Sequence, residues 1–396
     1  MKIAVITPYY KEPIEFLRKC HESVLSQDIK VDHFFIADGF PNAQLMNWDI
    51  KHISLSEAHK DNGNTPRGIG ALLASAEGYD FITFLDADNW FHPSHIHSMV
   101  ELWKRTQADV CCSFTSIHTL DGAEMIGLQA SDQLTFQHVD TSCFFIHKNG
   151  FDIMDVWLKM PKRLSPVCDR IFFAAIKWKN HTIAFTKLRT VAFRSQYIFQ
   201  YIFGRIKTNY KLKPLDCLKP ALDYLITRQG IKETKLSLGF YPLSYLKSRN
   251  IIFVSDFNSE LSAIATIYLT ALCTRRFIPY RAYIKLNQHE YPFANCLAKE
   301  MGLPEIDPKK NKRINEYQTN QSPKINYIVM LCEKDSKKQK IVFSGNPKII
   351  FWEFSKFNGL DGNEENDIMN FRSQALEVES KIKCFFSLTD EELDAL

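Results

Sequence analysis

The chain lacks the features that most quickly assign a sequence to a class. It has no run of about 18 apolar residues, the length a membrane-crossing helix needs, so none is expected. Before Thr7 and Pro8 the amino terminus offers only Ile3 to Ile6 as an apolar stretch, too short for the core of a secretory signal. None of the ten cysteines forms a C-x-x-C pair or clusters with histidine at metal-ligand spacing, which argues against structural zinc and fits a reducing compartment. Net charge is scant too, +4 over 396 residues, so the total gives no ground for a nucleic-acid partner. No internal repeat is found, and the expected location is the cytoplasm.

What is present is ordinary globular material. Apolar residues make up 45 % and charged residues 24 %, which excludes disorder and leaves ample side chains for buried cores. The length favours two or three domains. Charge is unevenly spread: residues 201–250 hold ten Lys or Arg against three Asp or Glu, a surplus of seven that leaves the rest of the chain at −3. Tyr197, Phe199, Tyr201, Phe203 and Tyr210 crowd the start of this stretch. It reads as a solvated face on a helical connector, or as a contact with an anionic membrane surface or a phosphorylated acceptor.

Strands and helices alternate through the first hundred residues. Residues 3–6, 31–37 and 81–85 are apolar runs of strand length. Helical spacing opens at Pro13, a second helix is expected over 68–78, a third after Pro93, and a further strand over 109–114. This predicts an α/β fold with a mainly parallel sheet, whose ligands gather beyond the carboxyl ends of the strands. Polar, turn-prone segments follow each strand: Thr7-Pro8-Tyr9-Tyr10, Asp38-Gly39 and Asp86-Ala87-Asp88.

Asp86 and Asp88 are two residues apart, and extended backbone points such a pair to one side. Two carboxylates can share a magnesium or manganese ion that keeps positions open for phosphate oxygens. The alternative is Asp88 capping the following helix with Asp86 solvated. The segments A-V-I-T-P-Y-Y-K-E-P, I-A-D-G, N-T-P-R-G-I-G-A-L-L-A-S-A and F-L-D-A-D-N-W-F-H-P together resemble the nucleotide-sugar half of family 2 glycosyltransferases with the GT-A fold. The resemblance implies that Thr7, Pro8 and Tyr9 line the nucleotide pocket, that Asp38 meets the base, and that Arg67 lies near the diphosphate or sugar. It also implies that Asp88 is a principal ligand of Mn2+ or Mg2+, with Asp86 near the ribose or the metal. At Arg67 the chain departs from the family's usual A-R-N, reading Pro66-Arg67-Gly68.

An inverting transfer needs a general base opposite the leaving diphosphate. The segment Ser165 to Arg170 resembles the place where the family carries its acidic residue, with Cys168 for a usual Glu, and makes Asp169 the base. An ion pair with Arg163 or Arg170, or a helix cap, is the alternative role. Asp140 is the reserve candidate, while the lone His118 and His147 read as structural.

A second alternating series starts near residue 251, with strands over 251–254, 325–331 and 348–352, a polar loop over 255–262, helices over 263–271 and 371–386, and a polar mobile loop over 311–323. I-I-F-V-S-D-F-N-S-E-L-S-A-I-A and the later N-Y-I-V-M-L-C-E, I-I-F-W-E-F and D-I-M-N-F-R-S-Q-A-L-E-V-E-S-K-I are similar to low-molecular-weight tyrosine phosphatases and the related arsenate reductases. That family needs a cysteine thiolate and, past five residues, an arginine. Here Ser255 stands for the Cys and Leu261 for the Arg, Lys356 falls near the acid loop, and Cys332 has no thiol partner. The resemblance implies an inactive module, in which Asn258, Ser259 and Ser262 of the degenerate loop still hold an anion or a partner or play a purely structural part.

The expected organisation is a GT-A domain over 1–205, a basic helical connector over 206–249 and a phosphatase-like domain over 250–396. The expected function is an inverting, metal-dependent transfer from a nucleotide sugar, a UDP-sugar first among donors, to a hydroxyl of a glycan or lipid-linked acceptor, at the inner face of a membrane. The alternative is a non-catalytic nucleotide- or phosphate-binding scaffold.

Overall fold

All seven residues of the first strand, β1 (Ile3–Tyr9), are buried, as an unbroken apolar run covered on both sheet faces requires. The computed structural model describes the whole chain except residues 129–137, 215–216, 246–248, 256–258, 272–276, 285–291, 301–304, 308–310, 320–321, 334–342, 344, 355–363, 389 and 396. Two units emerge, Met1–Leu246 and Lys247–Leu396.

In the first unit the order is β1, α1 (Ile14–Leu25), β2 (Asp32–Ala37), β3 (Lys51–Ser54), α2 (Asn64–Ala76), β4 (Phe81–Phe84), β5 (Trp90–Phe91) and α3 (His95–Thr106). There follow β6 (Val110–His118), β7 (Phe144–His147), α4 (Val156–Lys159), α5 (Cys168–Trp178), β8 (Ile183–Arg194), α6 (Ile198–Gly204), α7 (Lys219–Ile226) and α8 (Arg228–Leu238). The eight strands form one sheet ordered β3-β2-β1-β4-β7-β6-β8-β5. Strands β1 to β4 pair in parallel, as expected. The mainly parallel expectation fails in the other half: β7 runs antiparallel to both β4 and β6, and β5 runs antiparallel to β8. The four-residue β7 separates β4 from β6, and the Thr83 hydroxyl donates to the Phe144 carbonyl at 2.7 Å across that reversal.

Helix α2 starts a turn earlier than periodicity suggested. Oδ2 of Asp61 accepts the N–H of Thr65 at 3.0 Å and its hydroxyl at 2.6 Å. Gly63, with φ +79°, turns the chain into the helix where a Cβ would stand 3.0 Å from the Pro8 ring. Further along, Gly70 lets α2 lie against the sheet, since a Cβ there would come within 2.6 Å of Ile6 Cγ2. The early start puts Arg67 in the first turn, facing the ends of β1 and β4.

The expected connector over 206–249 belongs largely to this unit. Ala221, Tyr224, Leu225, Leu238 and Phe240 enter its core, and Phe240 stacks on Trp178 with centroids 4.7 Å apart. Helices with an apolar stripe bury it against whatever core adjoins them, and here the lysines and arginines stay on the outer side. Tyr201 and Phe203 are buried as well, whereas Tyr210 is exposed.

The second unit contains β9 (Arg249–Ser255), α9 (Ser259–Ala271), β10 (Phe277–Tyr283), α10 (Pro292–Glu300), β11 (Asn311–Arg313), β12 (Tyr327–Glu333), β13 (Lys348–Phe354), α11 (Glu364–Ser387) and α12 (Asp390–Ala395). Its sheet is parallel throughout, ordered β11-β10-β9-β12-β13. The polar loop expected over 255–262 gives way to helix from Ser259. The loop expected over 311–323 holds β11 and a 3-10 turn, Ile314–Gln318, whose Ile314 and Tyr317 join the core. Two apolar side chains in a polar stretch are enough to seat it on the sheet edge.

Candidate active site

A cavity of about 520 Å³ opens beyond the carboxyl ends of β1, β2 and β4, and most of its functional groups come from the loops that follow those strands. Arg67 and Asp86 form its charged floor. The guanidinium Nη2 donates to Asp86 Oδ1 at 2.6 Å, Nη1 reaches Asn64 Oδ1 at 3.3 Å, and the plane rests 4.8 Å from the Trp157 ring. Arg67 is 2 % exposed. Burial works against its charge, but the pull of Asp86 more than offsets this and raises its pKa above the ordinary value.

Asp88 lies beside this pair. Gln196, just past β8, donates to its Oδ2 at 3.0 Å, and Arg194 Nε donates to its backbone carbonyl at 3.0 Å. Burial first, then the charges of Asp86 and Glu12, push the Asp88 carboxyl up to about 7. The site therefore concentrates negative charge that a cation would relieve. Among the described residues no three His, Cys, Asp or Glu side chains form a closed metal cage. Two carboxylates with room for phosphate oxygens fit an ion completed by its ligand, the arrangement common for magnesium.

Asp169, also in the lining, occupies the first turn of α5. His138 Nε2 lies 3.2 Å from its Oδ2, and its Oδ1 accepts the Arg170 N–H at 2.7 Å. Burial raises the Asp169 pKa, yet the pairing with His138 and the charge of Arg170 hold it below the ordinary value. Of the alternative partners, Arg170 meets it through the backbone N–H, while the Arg163 guanidinium lies over the Tyr224 ring. Asp140 also lines the cavity and accepts the Ser142 N–H at 2.9 Å. Burial and the nearby Asp86 push Asp140 up to about 7.

Pro8, Tyr9, Asp38, Arg67, Asp86, Asp88 and Asp169 all border the cavity, and so does Asp140. Thr7 does not. Alternation along β1 turns its hydroxyl into the core, 2.8 Å from His33 Nε2. The Tyr9 hydroxyl is spent on His52 Nε2 at 2.7 Å and on the Asn42 N–H at 2.9 Å. Asp38 does framework work: its carboxylate accepts the N–H groups of His59 and Lys60 at 2.8 and 3.0 Å and pins that loop. His118 hydrogen-bonds Ser116 and the Gly122 carbonyl, and His147 stacks on Trp103, so both are structural.

Sequence reading missed Glu12, Gln196, Lys213 and His138. Glu12 had a signal, its place in the polar segment after β1. The others arrive from residues 138–213 through the pairing of β8 with β6 and the packing of α5, which no local pattern announces. In the second unit Ser255 is 2 % exposed, and Leu261 and Ser262 are fully buried. Asn258, Lys356 and the Ser259 side chain lie outside what is described.

Among solved structures the chain is similar to S. aureus TarS 1-349 in complex with UDP, at 13 % identity and TM-score 0.38 over 61 % of this chain and 70 % of that one. The same fragment in complex with UDP-GlcNAc matches at 12 % identity and TM-score 0.38, over 60 % and 73 %. Longer S. aureus TarS matches at 12 % identity and TM-score 0.37, over 60 % of this chain and 42 % of that chain. No curated protein matches. Residues 4–151, the segment that supplies β1 to β7 and both aspartates of Asp86-Ala87-Asp88, match the family model described as Glycosyl transferase family 2.

Proposed function

We propose that the first unit transfers a sugar from a nucleotide sugar to an acceptor hydroxyl with inversion. The observation that carries this reading is the cavity itself, whose lining brings together a buried Arg67–Asp86 pair, Asp88 and the His138-paired Asp169. In this reading Arg67 and the backbone around Gly63 receive the diphosphate side of the donor, and the loop after β2 receives the base. Asp88 and Asp86 would hold Mn2+ or Mg2+, which supplies Lewis acidity toward the departing diphosphate. The acceptor oxygen forms the new bond to the anomeric carbon. The bond from that carbon to the diphosphate oxygen breaks with its electron pair on the diphosphate, and the hydroxyl proton goes to Asp169.

Asp169 suits the base role better than Asp140 because their surroundings drive their proton affinities apart. The pairing with His138 keeps Asp169 ionised, while burial beside Asp86 keeps Asp140 partly protonated near neutrality. Asp140 then serves as a hydrogen-bond partner of the acceptor, a glycan or lipid-linked alcohol. The exposed Ile226 and Leu236, flanked by Arg228, Lys232 and Lys235, suit a peripheral contact with an anionic membrane.

For the second unit we infer a phosphatase-like module without turnover. Ser255 and the fully buried Leu261 at the β9–α9 junction support it, since a serine hydroxyl is a weaker nucleophile than a cysteine thiolate and leucine cannot grip an oxyanion. Release of phosphate from an aryl phosphate by the chain would overturn this.

The transfer reading is tested by thermal stability with UDP, GDP and CMP, each with and without manganese. A rise in midpoint with one nucleotide, dependent on manganese and lost in Asp88→Asn, is the expected result. No rise with any nucleotide would favour the scaffold.

A further inference from the structure

Resting on the transfer reading, we propose that His138 is a positioning residue that keeps Asp169 as the ionised, oriented carboxylate of the site. The argument starts from geometry. Asp169 borders the cavity, and His138, which is not among the lining residues, stands with its Nε2 3.2 Å from Oδ2. Both groups are largely withdrawn from water, the His138 side chain at 14 % and Asp169 at 25 % exposure, so their pairing is poorly screened. With Oδ2 held by the ring and Oδ1 by the Arg170 N–H, the carboxylate cannot rotate freely.

The remaining groups around Asp169 divide by sign. Arg170 on α5 favours its ionised form, as does the helix amino terminus on which it sits. Asp140 and the Tyr197 hydroxyl act on it from two other segments and the Cys168 thiol from the preceding position on α5, and each gains proton affinity from a negative Asp169. Burial and Asp86 push Asp140 toward its protonated form, and the charge of Asp169 adds to this. Among the groups that favour an ionised Asp169, the His138 ring is the side chain that meets its carboxylate directly.

The test uses the full chain with His138→Gln and His138→Arg. In turnover with the donor that the wild type accepts, His138→Gln should move the acid limb of the kcat profile up by at least about one pH unit. That is up to about a tenfold loss on the acid limb, below the wild-type midpoint, recovered as the pH rises toward neutrality, with donor KM within about threefold, and His138→Arg should restore most of it. In parallel, carbon-13 carboxyl NMR of aspartate-labelled protein, with Asp169 assigned through Asp169→Asn, should show the Asp169 titration moving upward in His138→Gln. An Asp169 signal indifferent to that substitution overturns the inference whether or not turnover is found, and so does an unmoved acid limb. An upward NMR shift in a protein that transfers no sugar retains the charge assignment and sinks the transfer reading instead.

Discussion

At the residue scale, polar side chains inside this protein are governed by the partner each one finds. Asp38 and Asp88 both follow strands and both read as ligand contacts, yet one ties down a loop through two N–H groups and the other is left beside two further acids. Glu260 makes the same point in the second unit. It is 2 % exposed, accepts the Ala294 N–H at 2.5 Å at the start of α10, and burial pushes its carboxyl from 4.5 up to about 7. The folded form therefore holds a proton that the unfolded chain releases between those values, and stability falls as pH rises through that window. The rise corresponds to about 3 kcal/mol. Glu260→Gln, which keeps an acceptor oxygen, should abolish this loss. Hydrogen-exchange protection of the α9 amides, corrected for intrinsic rate, should drop between pH 5 and pH 8 in the wild type and stay level in the variant. An equal drop in both would assign the pH dependence elsewhere.

At the element scale, the site depends on how closely α2 approaches the sheet. Arg67 rides on the first turn of that helix, and Gly70 one turn later sets the spacing against Ile6 and Ile36, both fully buried. Gly70→Ala gains up to about 1 kcal/mol of helix propensity, but the added methyl overpacks a site with no room to yield, costing about 1 to 3 kcal/mol. The melting midpoint should fall, and nucleotide affinity should fall with it as the helix moves outward. A raised midpoint would mean that β1 and α2 tolerate a wider spacing. The elements themselves were largely legible: β1, β2, β4, α1 and α3 lie where apolar runs and proline positions put them. The short β7 and the edge strand β11 were not, because four or three residues carry too little periodicity to be distinguished from loop.

At the scale of the whole molecule, every described residue bordering the cavity falls between Pro8 and Lys213, within the first unit. A chain ended after Leu246 should consequently bind the same nucleotide within about threefold of the full-length affinity by titration calorimetry, because α7 and α8 complete its core. A loss beyond about tenfold would show that the second unit contributes to the site. Ending the chain at 205 should instead give an unstable protein, since it strips Tyr224, Leu225, Leu238 and Phe240 from that core.

The sequence by itself determined the alternation of strands and helices, the segments that would stand at the ligand edge, and the aspartate pair at its centre. Those follow from local periodicity and from polar residues at strand ends, which are properties of neighbours along the chain. Tertiary structure alone decided that Thr7 faces the core, that Asp38 is occupied by a loop, and that Asp169 answers to His138, 31 positions away. The difference is physical: a side chain's proton affinity and direction depend on burial and on charges within a few ångströms, and those neighbours are brought in from distant parts of the sequence.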